Sequence, residues 1–373
     1  MRTGTVNFGV IGVKGIGRTH IDCIDLIEGA ELVAVADIDE SVGKTVASQR
    51  HVDWYADYER MLERDDLDAV CICTPHFLHA EMALRAMDHG KNVLVEKPMA
   101  ITVGEADRMV TRARRRGVKL GVVYQYRTEP VYSEMKAIIE RGDLGPIHRV
   151  LMEACELRTQ AYYDSAPWRG SWGLSGGGAL INQAIHCFDL LQWFVGRPVR
   201  LQGWIGTKLH RTEVEDVASA VMLFENGAQG AAQASVIDAP PTIRFEICGD
   251  KAKLIKENGP RLGLLETPIR EFIERSNEVW GQPRYKWAEV TPKGRETGHV
   301  AVIRDFAEAI SEDRDPLVPG TEARASLEIV NAVILSHFKG EPVTLPVDRE
   351  EYARLMMKLS GGKKLRSNHP AEP

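Results

Sequence analysis

Apolar and polar residues alternate in short blocks along the first third of the chain. Val6–Ile11 is an apolar run closed by glycines, the pattern of a strand buried on both faces. Helical spacing over 17–28, 41–49, 57–63, 79–89 and 102–116 interleaves with apolar strands over 31–36, 69–73, 92–95 and 119–124. Thr102 opens the last of these helices as a cap, and Gly117 stops it. Five or six β–α units within about 125 residues predict a doubly wound parallel sheet. The pattern then changes. A helix over 131–141 ends in the turn-like run GDLGP. Longer strands follow over 148–157, 199–209, 216–223, 230–236 and 242–248, interrupted by one strong helix over 178–194. Strands in succession predict a mostly antiparallel sheet with helices on one face. Residues 255–300 read as irregular and polar, and helices return over 300–311 and 321–338. The α/β chain thus divides into a doubly wound domain over 1–125, a second domain over 126–358 and a frayed tail over 359–373.

Composition narrows the function. The 373 residues carry 47 Lys and Arg against 53 Asp and Glu, a net charge of −6. That balance argues against gripping nucleic acid, which needs a concentrated basic surface. The basic run 112–116 sits late on a helix, where cations suit the negative dipole end, and reads as a solvated helix terminus. The N-terminal apolar run is too short for a signal-peptide core, and no stretch reaches the ~18–20 apolar residues of a membrane span. Cys71 and Cys73 alternate inside an apolar strand and read as buried thiols in a reducing compartment. A cytoplasmic protein without a membrane partner is expected.

The first strand runs into Gly12-Val13-Lys14-Gly15-Ile16-Gly17, which opens the first helix. Glycines there permit a tight turn and close backbone approach to a pyrophosphate, and the helix N-terminus meets its charge. Lys14 replaces the middle glycine of the usual fingerprint. Asp37 ends the second strand, 20 residues after Gly17, where a carboxylate accepts the ribose hydroxyls of an adenosine. Ile38, Asp39 and Glu40 follow, so a 2′-phosphate would meet negative charge and NAD is favoured, with Lys14 and Lys44 keeping NADP open.

Two further segments stand at carboxyl ends of parallel strands: Thr74-Pro75-His76, with His79 beyond it, and Glu96-Lys97-Pro98. Downstream, Trp168-Arg169 precedes a triple glycine at 176–178, then Asn182, Gln183, His186 and Asp189; Asn182 and His186 share one helix face. With these residues in this order, the chain resembles the Gfo/Idh/MocA oxidoreductases, the glucose–fructose oxidoreductase and inositol dehydrogenase family. The resemblance covers nearly the whole chain. It implies a Rossmann domain, then an α/β domain whose open, largely antiparallel sheet joins subunits into homodimers or homotetramers. It also implies NAD(P)-dependent chemistry on a ring hydroxyl of a sugar, inositol or sugar derivative. The family often has Asp where this chain has Asn182, which removes a carboxylate from the proton relay.

On that resemblance Lys97 and His186 are the catalytic pair, one accepting the hydroxyl proton and the other orienting the substrate. Cofactor contacts are expected from Gly12, Lys14, Gly15, Ile16, Gly17, Asp37, Thr74, Pro75, His76, His79, Glu96 and Lys97. Carbohydrate contacts are expected from Lys97, Tyr126, Arg127, Arg158, Tyr163, Trp168, Arg169, Asn182, Gln183 and His186, with Tyr162 in the same stretch. No metal is expected. The same residues also suit a glycosidase working by transient oxidation, or a non-catalytic dinucleotide sensor.

Overall fold

The structure is a computed structural model. It describes residues 4–294 and 297–361. Six parallel strands form the first sheet: β1 (Val6–Ile11), β2 (Ala30–Ala36), β3 (Asp53–Tyr55), β4 (Ala69–Ile72), β5 (Asn92–Glu96) and β6 (Leu120–Val123). Their order is β3-β2-β1-β4-β5-β6. β4 and β6 are buried throughout because helices cover both faces, which is why their sequences read as unbroken apolar runs. The chain winds one way from β1 to β3 and the other way from β4 to β6. The order reverses between β1 and β4, and there the loops diverge to leave a crevice at the carboxyl ends of the strands. The helix Val103–Arg116 carries the Thr102 cap with its reciprocal Glu105 contact, and Gly117 closes it at φ 66°. Arg112 and Arg116 at its end pair with Asp88.

The second sheet has nine strands: β7 (Ile147–Leu157), β8 (Pro198–Gly206), β9 (Val217–Phe224), β10 (Gln229–Ser235), β11 (Ile237–Gly249), β12 (Ala252–Lys256), β13 (Pro260–Leu265), β14 (Tyr285–Glu289) and β15 (Val343–Thr344). Their order is β14-β13-β12-β11-β7-β10-β9-β8-β15, antiparallel except where β10 lies along β7. Helices Ile185–Val195 and Gly320–Lys339 pack on β7 and β8 and bury one face. On the other face Trp204, Val221 and Leu223 are exposed.

Three expectations need correction. The span 255–300 is not irregular: it holds β13, β14 and a helix, Ile269–Arg275. β14 is an edge strand with four of its five residues exposed, and that helix buries none of its residues, so no apolar period marked either. The expected helix over 178–194 is divided. Residues Leu180–Ala184 form a π-helical turn before the α-helix Ile185–Val195. A helix not foreseen, Arg349–Leu359, is capped by Asp348 and buries Tyr352 and Met356. The expected tail overlaps its end, and residues 362–373 lie outside the described residues.

Candidate active site

The loops at the carboxyl ends of the first sheet and the loops before helix Ile185–Val195 enclose one cleft of about 780 Å³. Its dinucleotide end is made by β1 and β2. Gly12 has φ 84° and Gly15 φ 49°, the two positions where this turn needs a left-handed residue. Lys14 has no such conformation, which is why a side chain is tolerated in the middle of the fingerprint. Its ammonium points to Asp39, 2.7 Å away. Gly17 does not line the cleft. A Cβ there would fall 1.8 Å from the Gly12 carbonyl oxygen, so this glycine lets helix Ile16–Ile24 close on the turn. Asp37 accepts the Val13 N–H at 3.0 Å and the Asp39 N–H at 2.9 Å, tying the two loops together. Each carboxylate oxygen keeps a lone pair for a ribose hydroxyl. The open turn, the helix N-terminus and this carboxylate fit a dinucleotide.

The middle of the cleft comes from β4 and β5. The His79 ring reaches the Thr74 and Pro98 carbonyl oxygens, each at 2.7 Å, and so joins the two loops. The His76 ring bonds the Ser175 carbonyl oxygen at 2.9 Å and lies 4.7 Å from the Trp168 ring. Burial pushes both imidazoles below their usual range. Burial pushes the Glu96 carboxyl up, but bonds from His20 and His299 outweigh it and hold the group below the usual carboxylate range. His20, Glu96 and His299 bring three ligand-type atoms within 4.8 Å of one another, the metal-like group among the described residues. Glu96 and His20 already satisfy each other at 2.8 Å.

The far end of the cleft, where the expected catalytic pair lies, is made where β5 meets the π turn. Lys97 Nζ donates to the Asn182 carbonyl oxygen at 2.6 Å. A π turn widens the helix and disturbs the usual N–H to C=O ladder, and such turns recur at functional sites. Burial pulls the Lys97 amine below its usual range; Glu96 opposes that, while Arg158 and Arg169 reinforce it. The His186 ring stacks on Tyr126 at 4.7 Å, and its Nδ1 is buried with no hydrogen-bond partner among the described residues. Burial, and then the Lys97 charge, push His186 well below the usual imidazole range. Arg158 pairs with Glu156 at 2.7 Å, and Arg169 lies over the rings of Tyr162 and Trp168.

Comparison with known proteins matches this arrangement. Residues 6–124 fit the family model described as an oxidoreductase family with an NAD-binding Rossmann fold, and residues 132–255 fit the companion C-terminal domain. The chain belongs to the Gfo/Idh/MocA family. It is 25% identical to the scyllo-inositol 2-dehydrogenase (NAD(+)) of Bacillus subtilis, over 92% of this chain and 97% of that one. It is 26% identical to the oxidoreductase YrbE of the same organism, over 90% and 96%. The WlbA dehydrogenase of Bordetella pertussis, solved with NADH and UDP-GlcNAcA, superposes with a TM-score of 0.79 at 28% identity, over 92% of this chain and all of that one.

Within this Gfo/Idh/MocA frame, eighteen of the expected residues line the cleft: Gly12, Lys14, Gly15, Ile16, Asp37, Thr74, Pro75, His76, His79, Glu96, Lys97, Tyr126, Arg158, Trp168, Arg169, Asn182, Gln183 and His186. Besides Gly17, two do not. Arg127 is 2% exposed and clamped by Asp189 at 2.7 and 2.8 Å, with Glu322 on its other nitrogen. It fastens helix Ile185–Val195 to the loop after β6. Tyr163 is buried against Ala179 and Val236, and its neighbour Tyr162 lines the cleft instead. The five-residue helix Gln160–Asp164 turns adjacent side chains to different sides. Glu156 and His299 were missed. Glu156 stands two residues before Arg158, and strand alternation would have placed both on one face. His299 arrives from a distant helix, and nothing local marks it.

Proposed function

We propose that the protein is an NAD-dependent dehydrogenase acting on a ring hydroxyl of a sugar, sugar derivative or polyol. The observation that carries this reading is the convergence of Lys97 and His186 on one cleft whose other end is a dinucleotide turn. Bound NAD supplies the hydride acceptor. The chain supplies proton handling and orientation. Lys97 is the general base. A useful base has its pKa near the working pH. Burial moves the amine down toward that range from above and moves His186 away from it, downward. A neutral Lys97 amine keeps one N–H on the Asn182 carbonyl oxygen and has its lone pair free for the hydroxyl proton. His186, held neutral, orients that hydroxyl.

In this reading residues 1–125 hold the coenzyme and 126–358 the substrate. Asp37 favours NAD over NADP. The relatives named for inositol and a sugar nucleotide support a carbohydrate ring as substrate. Self-association through the uncovered face around Trp204, Val221 and Leu223 belongs to the same proposal, and light scattering after gel filtration checks it by mass.

The test is a panel of monosaccharides, inositols, sugar acids and glycosides with NAD and NADP. NADH absorbance is read beside product mass. Expected is NADH formed one-for-one with a keto product, and NAD preferred. Aglycone release without net NADH would mean a redox-neutral glycosidase. Coenzyme binding with every carbohydrate inert would sink the reading.

A further inference from the structure

The amide pair that follows the triple glycine has a use beyond packing. Asn182 Nδ2 donates to the Tyr162 phenol oxygen at 2.8 Å, and Gln183 Nε2 donates to the same oxygen at 3.2 Å. Two incoming N–H groups occupy the acceptor sites of that oxygen. No protein acceptor takes the phenol hydrogen among the described residues, and Tyr162 faces the cleft. The guanidinium of Arg169 lies 4.2 Å from the ring centroid and that of Arg158 5.7 Å. The ring face attracts these cations, and the contacts help to hold the ring in this orientation. Asn182 also receives Lys97 on its backbone oxygen, so one residue positions both the reacting amine and this donor.

The polarity matters. An aspartate at 182 would accept the phenol hydrogen and turn it away from the cleft. Asparagine does the reverse. Arg158 and Arg169 stand over the Tyr162 ring, and Glu156 lines the same cleft with one carboxylate oxygen engaged by Arg158. Around the Tyr162 hydroxyl the wall therefore offers more donors than acceptors, and its natural complement is an oxygen that accepts only.

We propose that Tyr162 is a substrate-binding donor, aimed by Asn182 and Gln183, and that the carbohydrate presents to it a carboxylate, acyl carbonyl or ring-ether oxygen in preference to a free hydroxyl. This rests on the dehydrogenase reading of the same cleft. Binding to the enzyme–NADH complex, measured by calorimetry, tests it independently of turnover. The ligands are matched pairs: hexuronic acids and N-acetyl sugars against their parent hydroxyl sugars.

Wild-type protein should favour the acceptor-bearing member. Tyr162→Phe should weaken it about tenfold, the scale of one good hydrogen bond, and reduce the preference. With a turned-over substrate, KM should rise and kcat stay within about threefold, because binding rather than the chemical step is lost. Asn182→Asp should weaken binding similarly by withdrawing the hydrogen, and the double variant should lose little more. Unchanged NADH affinity shows that the variants fold. Full affinity in Tyr162→Phe, or losses that multiply in the double variant, would overturn the proposal. Binding with these effects but without NADH formation would overturn only the dehydrogenase reading. A panel with no bound carbohydrate would overturn both.

Discussion

At the dinucleotide end of the cleft the chain works mainly with backbone; at the opposite end, where we propose the carbohydrate binds, it works with side chains. The first end is two left-handed glycines, a helix N-terminus and Asp37, whose carboxylate binds two backbone N–H groups. The second is an amine, an imidazole, two guanidinium groups and a tyrosine, joined by hydrogen bonds and ring contacts across elements far apart in sequence. A backbone site recognises what all dinucleotides share. A side-chain site can be changed one atom at a time, so on the proposed function specificity for the second substrate resides there. The two ends should therefore fail differently when mutated.

The largest separation is expected from Lys97→Met. If Lys97 is the base we propose, its removal should lower kcat/KM by roughly 10³-fold, within the usual span for general-base catalysis. NADH affinity, read by fluorescence titration, should stay close to wild type. A parallel loss of NADH binding would mean that Lys97 serves the coenzyme end rather than the chemistry.

Gly17→Ala is the converse. The added Cβ would meet the Gly12 carbonyl oxygen at 1.8 Å, and backbone cannot swing aside as a side chain can. Helix Ile16–Ile24 must shift outward, at a cost of about 1–3 kcal/mol in overpacking. NADH affinity should fall by about tenfold or more, the melting temperature should drop, and sugar binding should suffer only through the lost coenzyme. Unchanged NADH affinity would show that the turn is not what holds the dinucleotide.

A subtler probe sits between the ends. Burial lowers the Lys97 pKa and the Glu96 charge raises it, with burial winning. Carbohydrate oxidation should therefore rise with pH and level off at an inflection below 10.5, the value of a free amine. Glu96→Gln removes the raising charge, so the inflection should move to still lower pH. A shift upward would mean that Glu96 does not act on this amine through its charge.

The same contrast explains what the sequence disclosed. The parallel sheet was legible because strands buried on both faces are unbroken apolar runs, and Asp37 because coenzyme geometry fixes its distance from Gly17. The triple glycine was legible too. The Gly178 amide is held by the buried Glu215 carboxylate, a contact nothing in the sequence announced. Arg127 was misplaced because a cation next to a cleft and a cation in a buried clamp look alike until Asp189 and Glu322 are placed around it. Tyr162 and Tyr163 are both plausible by composition, and only the short helix decides which one faces inward. β14 escaped notice because an exposed edge strand buries too little to leave a period.

The smallest effect should come from the residue that most disturbs the fingerprint. Lys14 replaces a glycine, and on sequence it either points outward and leaves the turn intact or helps to neutralise phosphate. Its backbone is not left-handed and its ammonium rests on Asp39, with both groups well exposed. Exposed pairs of this kind contribute little and are screened by salt. Lys14→Gly should therefore change NADH affinity by less than about threefold, and raising salt should shrink even that difference. A tenfold loss, abolished by salt, would place the ammonium on the pyrophosphate in the bound state. The dinucleotide end would then depend on a side chain after all, and the contrast between the two ends would weaken.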